Sequence, residues 1–163
     1  MLVPDLKLKW PNDIFWSNKC KLGGVLIISK CIGLDVQLSC GVGINVSNHL
    51  PTVSLNSMMA TTPTTAHLAP LTTAQVIASG LRQLELLLDR INAEGIEPVK
   101  QLYVKHWLHS NQQVRMANTK SVIIRGLGNH GYLLVEDIAT GAMLLVAPDG
   151  NRFDMLQNMI VVK

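Results

Sequence analysis

Leu6-Lys7-Leu8-Lys9-Trp10-Pro11-Asn12-Asp13 alternates apolar and charged side chains as far as Trp10 and then breaks into turn chemistry. A period of two is that of a half-buried strand, so Lys9, Asn12 and Asp13 are placed at a strand end. Eight residues beyond Asp13 comes Lys21-Leu22-Gly23-Gly24. Lys21 to Ser29 and Val36 to Val46 read as two further strands, with Cys31 to Asp35 turning between them through Gly33, and together these predict a small sheet. Two lysines, an acid and adjacent glycines at the ends of such strands suit the activation of a carboxylate by a nucleotide.

Downstream the pattern changes. Asn48 to Pro70 is dense in Thr, Ser, Asn and Pro and reads as irregular loop with at most one short helical turn. The spacing then predicts a helix over Thr73 to Glu94. Thr72 and Gln75 fit a capping box, Ile77, Leu81, Leu84, Leu88 and Ile91 form one apolar stripe expected to face a core, and Gly95 is placed to end it. A second helix is expected over Pro98 to Leu108, burying Leu102 and Trp107, and His109-Ser110-Asn111 breaks it. From there five short strands are expected: Val114 to Ala117, Ser121 to Arg125, Tyr132 to Asp137, Ala142 to Val146 and Met159 to Val162. Five strands in so short a stretch read as a small barrel. The reading is therefore an α+β protein of two domains, residues 1–112 and 113–163.

Composition narrows the function. With 163 residues and 48% hydrophobic content the chain can bury a core. Its 14 basic residues are scattered and the net charge is only +3, which gives no nucleic-acid footprint. Apolar runs such as Gly24 to Ile28 and Ala142 to Ala147 are far too short to span a bilayer, so a soluble, intracellular protein is expected. Cys20, Cys31 and Cys40 fit neither a disulfide framework nor a zinc site and read as free thiols.

Two local patterns are set aside. Gly126-Leu127-Gly128-Asn129-His130-Gly131 has the letters of a dinucleotide fingerprint, but Tyr132-Leu133-Leu134-Val135 continues as strand, not helix, so a hairpin loop is expected. His106 and His109 stand three apart with no third ligand at metal spacing and read as surface or interface residues.

The lysine motif Lys9-Trp10-Pro11-Asn12-Asp13, its partner Lys21-Leu22-Gly23-Gly24, the later Gly41-Val42-Gly43-Ile44-Asn45-Val46 and the final Pro148-Asp149-Gly150-Asn151 with Phe153-Asp154-Met155-Leu156 together resemble biotin protein ligases, the animal holocarboxylase synthetases most of all. The resemblance covers nearly the whole chain in order. It implies part of a biotin/lipoate ligase-type catalytic domain (mixed sheet with helices) followed by an SH3-like C-terminal domain, and a two-step reaction. ATP activates biotin to biotinyl-5'-AMP with Mg²⁺, and biotin then passes to a lysine of a carboxylase's biotin-carrier domain.

The same resemblance implies roles for residues. Lys21 aligns with the lysine that contacts the biotin carboxylate and the α-phosphate; by spacing alone it is a solvated lysine before a glycine bulge. Lys9 is a second candidate for phosphate charge, or a plain strand lysine. Asp13 would hold Mg²⁺ or orient the incoming amine, and Asn12 would hydrogen-bond phosphate or backbone. Gly23 and Gly24 permit close ligand approach. Gly41, Gly43, Ile44 and Asn45 form a tight turn lining the biotin and adenylate pocket, with Asn45 reaching nucleotide or metal. The Gly-Arg-rich loop that closes over the adenylate in the family has no counterpart in these residues, so a fragment, an incomplete gene model or a degenerate copy is expected, inactive by itself. A lipoate or octanoate ligase and a non-catalytic carrier-binding module are the alternatives. A homodimer and a cytoplasmic location, with a mitochondrial or nuclear pool, complete the expectations.

Overall fold

A computed structural model describes residues 5–17, 20–48, 53–116, 120–148, 152–154 and 158–161. It divides into two compact units, Met1–Lys7 with Asn12–Leu86, and Leu8–Pro11 with Leu87–Lys163. The predicted Asp149-Gly150 turn and Met155-Leu156 lie outside the described residues.

The first sheet has the order β1 (Leu6–Lys9), β2 (Asp13–Trp16), β3 (Cys20–Ile32), β4 (Asp35–Ile44). β3 and β4 pair antiparallel over ten rungs, from Gly23↔Ile44 to Ile32↔Asp35. A two-residue connection at Gly33-Leu34 closes this hairpin, and Gly33 takes the positive φ of 63° that so tight a turn requires. Gly41, Gly43 and Ile44 thus lie in extended strand, which corrects the expected tight turn. Glycine there serves flatness, not reversal.

Leu22, Val46, Leu55 and Met58 form the core of the first unit, with Ile14, Trp16, Ile44 and Val76 packed on it. Where at most one turn was expected there is a seven-residue helix, α1 (Leu55–Thr61). Ser54 caps it, its Oγ accepting from the Ser57 amide at 3.4 Å while the Ser57 hydroxyl accepts from the Ser54 amide at 2.9 Å. Leu55, Met58 and Met59 then fall on one buried face.

α2 (Thr73–Glu94) runs over the predicted limits. The Thr72 amide donates to Gln75 Oε1 at 2.8 Å and the Gln75 amide to Thr72 Oγ1 at 3.2 Å, while Gly95 ends the helix at φ 80°. Its stripe departs from expectation, because Ile77, Leu81, Leu84 and Leu88 are exposed and no residue of α2 is buried. α3 (Glu97–His106) follows, with Pro98 in its first turn. Leu102 is exposed, against expectation, whereas Trp107 is buried.

The second sheet contains β5 (Gln113–Met116), β6 (Ser121–Leu127), β7 (Leu133–Asp137), β8 (Met143–Val146), β9 (Arg152–Asp154) and β10 (Met159–Val161), in the order β8-β7-β6-β5-β10-β9. Six strands replace the five expected, and among the described residues β8 and β9 are the ends of an open sheet, not neighbours in a closed barrel. β10 lies parallel to β5. Gly128 leads from β6 through a short 3-10 turn, Asn129–Gly131, into antiparallel β7, the hairpin that was expected in place of a phosphate loop. Val114, Val122, Ile124, Leu133, Val135, Val146, Phe153 and Ile160 form the core, and Trp10 and Trp107 complete it. Among the described residues no helix is long and apolar enough to cross a membrane.

Candidate functional site

The site begins with an irregularity in pairing. Ile14 faces Gly23 and Phe15 faces Lys21, which leaves Leu22 as the extra residue of a bulge. In an uninterrupted strand Lys21 would project on the side of Gly23, opposite Gly24. The bulge buries Leu22 and turns Lys21 to the other side, where a Cβ added to Gly24 would stand 3.7 Å from Lys21 Cε and 3.2 Å from Asp13 Oδ1. Lys21 Nζ and Asp13 Oδ1 are 2.6 Å apart, the lysine side chain 56% exposed and the aspartate 17%.

Asn12 ties this corner together. Its side-chain amide donates to the Val25 carbonyl at 2.6 Å, and the Val25 amide donates to the Asn12 carbonyl at 2.8 Å. Asn12 thus bonds backbone, one of the two roles expected for it. The result is a pocket of about 460 Å³ with Asn12, Asp13 and Lys21 at its polar side, Gly24, Gly41 and Gly43 as its floor, and Val25, Leu26 and Val42 as its apolar wall.

Four predicted residues are not among those that line this pocket. Gly23 is required by packing, because a Cβ there would run into the Gly43 carbonyl oxygen, so its function is the close approach of β3 to β4. Ile44 packs in the core of the first unit. Asn45 holds backbone, its amide donating to Leu22 and its carbonyl accepting from Leu55. Lys9 belongs to the second unit, where its charge is felt by His109. Val25, Leu26 and Val42 line the pocket without having been singled out, although strand alternation beside the glycines was the available signal.

Chemically, a lysine held by one carboxylate oxygen keeps donors for an anion, and a glycine floor lets a ligand approach backbone closely. Among the described residues no group of three or more His, Cys, Asp or Glu could hold a metal unaided. A single carboxylate is nevertheless the protein share that magnesium needs when phosphates supply other ligands.

Two predictions arise here. An exposed ion pair contributes little to folding, so Lys21→Ala should change unfolding free energy by less than about 1 kcal/mol in a denaturant titration. Gly23→Ala, by contrast, forces two backbones apart, and the cost expected is about 1–3 kcal/mol. Equal stability of the two variants would contradict this assignment.

His109, expected at a surface or interface, is buried at 1% exposure, packed against Trp107 and Phe153. Its Nε2 accepts from the Trp10 amide at 3.1 Å, and Nδ1 lies 3.2 Å from Gln112 Oε1. Burial, with the Lys9 charge adding to it, lowers its pKa to about 4.

Comparison with known proteins gives this geometry its context. No family model matches the chain. Over 98% of its length the chain is homologous to the human biotin–protein ligase, with 38% identity over 163 residues, and it spans 22% of that protein. The apo biotin protein ligase of Aquifex aeolicus shares the fold, with TM-score 0.62 and 22% identity over 86% of this chain and 65% of that one. The same Aquifex aeolicus ligase in complex with biotin and ATP aligns with TM-score 0.57 and 21% identity, covering 86% of this chain and 61% of its own.

Proposed function

We propose that this chain supplies the lysine and aspartate side of a biotin–protein ligase site. The activity is ATP-dependent adenylation of biotin, followed by transfer to a lysine of a carboxylase carrier domain. The observation that carries the reading is the Lys21–Asp13 pair standing over a glycine floor in an open pocket. Homology to the human biotin–protein ligase supports it, and the fold likeness to a ligase that binds biotin and ATP agrees with it.

A carboxylate is a poor electrophile until its oxygen is converted into a leaving group. Lys21 is the group that offsets charge gathering on phosphate oxygens as the biotin carboxylate attacks. Asp13 fixes Lys21 Nζ at the pocket, and its carboxylate would be the protein group to hold Mg²⁺, which would supply charge neutralisation at the phosphates. Gly24, Gly41 and Gly43 let the ligand lie against the strands, and Val25, Leu26 and Val42 exclude water from its apolar part.

The test is a chimera in which these 163 residues replace the matched region of the human ligase. ATP-dependent incorporation of labelled biotin into a carrier domain is expected, without competition from lipoate. A folded chimera that binds carrier but makes no biotinyl-adenylate would sink the proposal.

A further inference from the structure

Immediately ahead of Asn12, the stretch Leu8–Pro11 is tied by hydrogen bonds that the proposed chemistry does not use. The Leu8 carbonyl accepts from the Leu108 amide at 2.9 Å, and the Trp10 amide donates to His109 Nε2 at 3.1 Å. The Trp10 indole donates to the Gly131 carbonyl at 3.1 Å, and the Pro11 carbonyl accepts from the Tyr103 hydroxyl at 3.3 Å. All of these partners lie in the second unit, to which Leu8–Pro11 itself belongs, and Trp10 is packed into that unit's core. Asn12 and Asp13 belong to the first unit. The motif Lys9–Asp13 therefore divides at the peptide bond between Pro11 and Asn12. Beyond that bond the hold is thinner. Asp13 opens a strand of only four residues, and Asn12 stands past its end on two bonds to the Val25 main chain, the side-chain one exposed. Exposed bonds at a strand end open more readily than those inside a sheet. Fixing the preceding residue opposes that opening, because a shorter segment is left free to move.

We infer that His109 and Tyr103 are positioning residues for the candidate site: by fixing Trp10 and Pro11 they hold Asn12 and Asp13 at the polar side of the pocket, although neither lines it. The inference rests on the ligase reading for the reaction that Asp13 serves, and on the hydrogen bonds for the hold itself. The two residues contribute unequally. The Trp10 amide is buried, so taking away its acceptor leaves a desolvated donor unpaired, whereas the Tyr103 bond is longer and only partly buried.

Amide hydrogen exchange, followed by nuclear magnetic resonance on the full 163-residue chain at neutral pH without ligand, tests the hold directly. The Val25 amide donates to the Asn12 carbonyl and so reports whether Asn12 is in place. Two amides serve as controls: Asn45, bonded to the Leu22 carbonyl, for the first unit, and Ile124, bonded to the Gln112 carbonyl, for the second. Tyr103→Phe removes the hydroxyl and keeps the ring against Trp107, so Val25 exchange should quicken by about three- to tenfold while both controls keep their rates. His109→Met should quicken Val25 further relative to both controls, and His109→Gln, whose side-chain carbonyl can accept where Nε2 does, should restore most of the protection. In the human-ligase chimera, Tyr103→Phe is expected to lower kcat for biotinyl-adenylate formation by about the same factor, with KM for biotin nearly unchanged. Quickened Val25 exchange in a chimera that makes no adenylate at all would uphold the hold and count against the ligase reading. Val25 and the controls quickening together in Tyr103→Phe would overturn the inference, as would unchanged Val25 exchange in both Tyr103→Phe and His109→Met.

Discussion

In the human-ligase chimera, Lys21→Ala is expected to slow formation of biotinyl-adenylate by about 10² or more, the scale for removing one donor aimed at developing transition-state charge. The geometry gives the reason. An ammonium has three donors, and the Asp13 oxygen at 2.6 Å occupies one, so the others are available to phosphate oxygens. The ammonium is also positioned in advance, because the bulge at Leu22 and the carboxylate of Asp13 fix where it stands. Two measurements separate chemistry from collapse. Pyrophosphate release should fall, while transfer from synthetic biotinyl-adenylate to carrier should be far less affected. Lys21→Arg should restore little, since a planar guanidinium does not reproduce a compact point charge held by one carboxylate. Pyrophosphate release near the unsubstituted rate would remove Lys21 from the first step.

Legibility in the sequence followed the range of the physical signal. The limits of α2 were legible because capping is local, with Thr72, Gln75 and Gly95 all adjacent to the residues they terminate. What its stripe meets was not, since a 3.6-residue period says which face is apolar and nothing of what covers it. β2 was hidden behind Pro11-Asn12-Asp13, whose turn chemistry ends at the very residue where the next strand begins. Gly41 and Gly43 read as a turn for the same reason, since glycine's freedom suits turns as well as a flat floor. Lys21 and Asp13 were both named, but their contact depends on the register Asp13↔Gly24 and on the bulge, which are properties of pairing and not of spacing.

His109 shows that dependence most sharply, and it carries the second large prediction: the stability of the folded chain should fall by about 3 kcal/mol as pH drops from 6.5 to 4, over and above what its carboxylates contribute. The ring is enclosed by Trp107 and by Phe153, a residue remote in sequence, so two histidines three apart gave no hint of burial. Because the Trp10 amide donates to Nε2, that nitrogen carries no proton; Nδ1 therefore bears it and donates to Gln112 Oε1, whose own amide donates to Asn158 Oδ1 at 2.9 Å. Adding a proton at Nε2 would set two donors against each other in a desolvated place, with the Lys9 charge also opposing it. The sign follows from the lowered pKa. Above pH 6.5 the imidazole is neutral in both folded and unfolded chains and the full stability is present. Between 6.5 and about 4 the unfolded chain takes up the proton first, and stability is lost; below about 4 both states are protonated and the loss ceases. His109→Gln should be less stable at neutral pH, for want of the ring's packing, yet show a flatter profile across the same window. Urea titrations of both proteins at half-unit pH steps give the difference directly, and nuclear magnetic resonance of the ring carbons reports the proton itself. Parallel profiles for the two proteins, or a ring titrating near 6.5 in the folded chain, would show that His109 is not held neutral by this network.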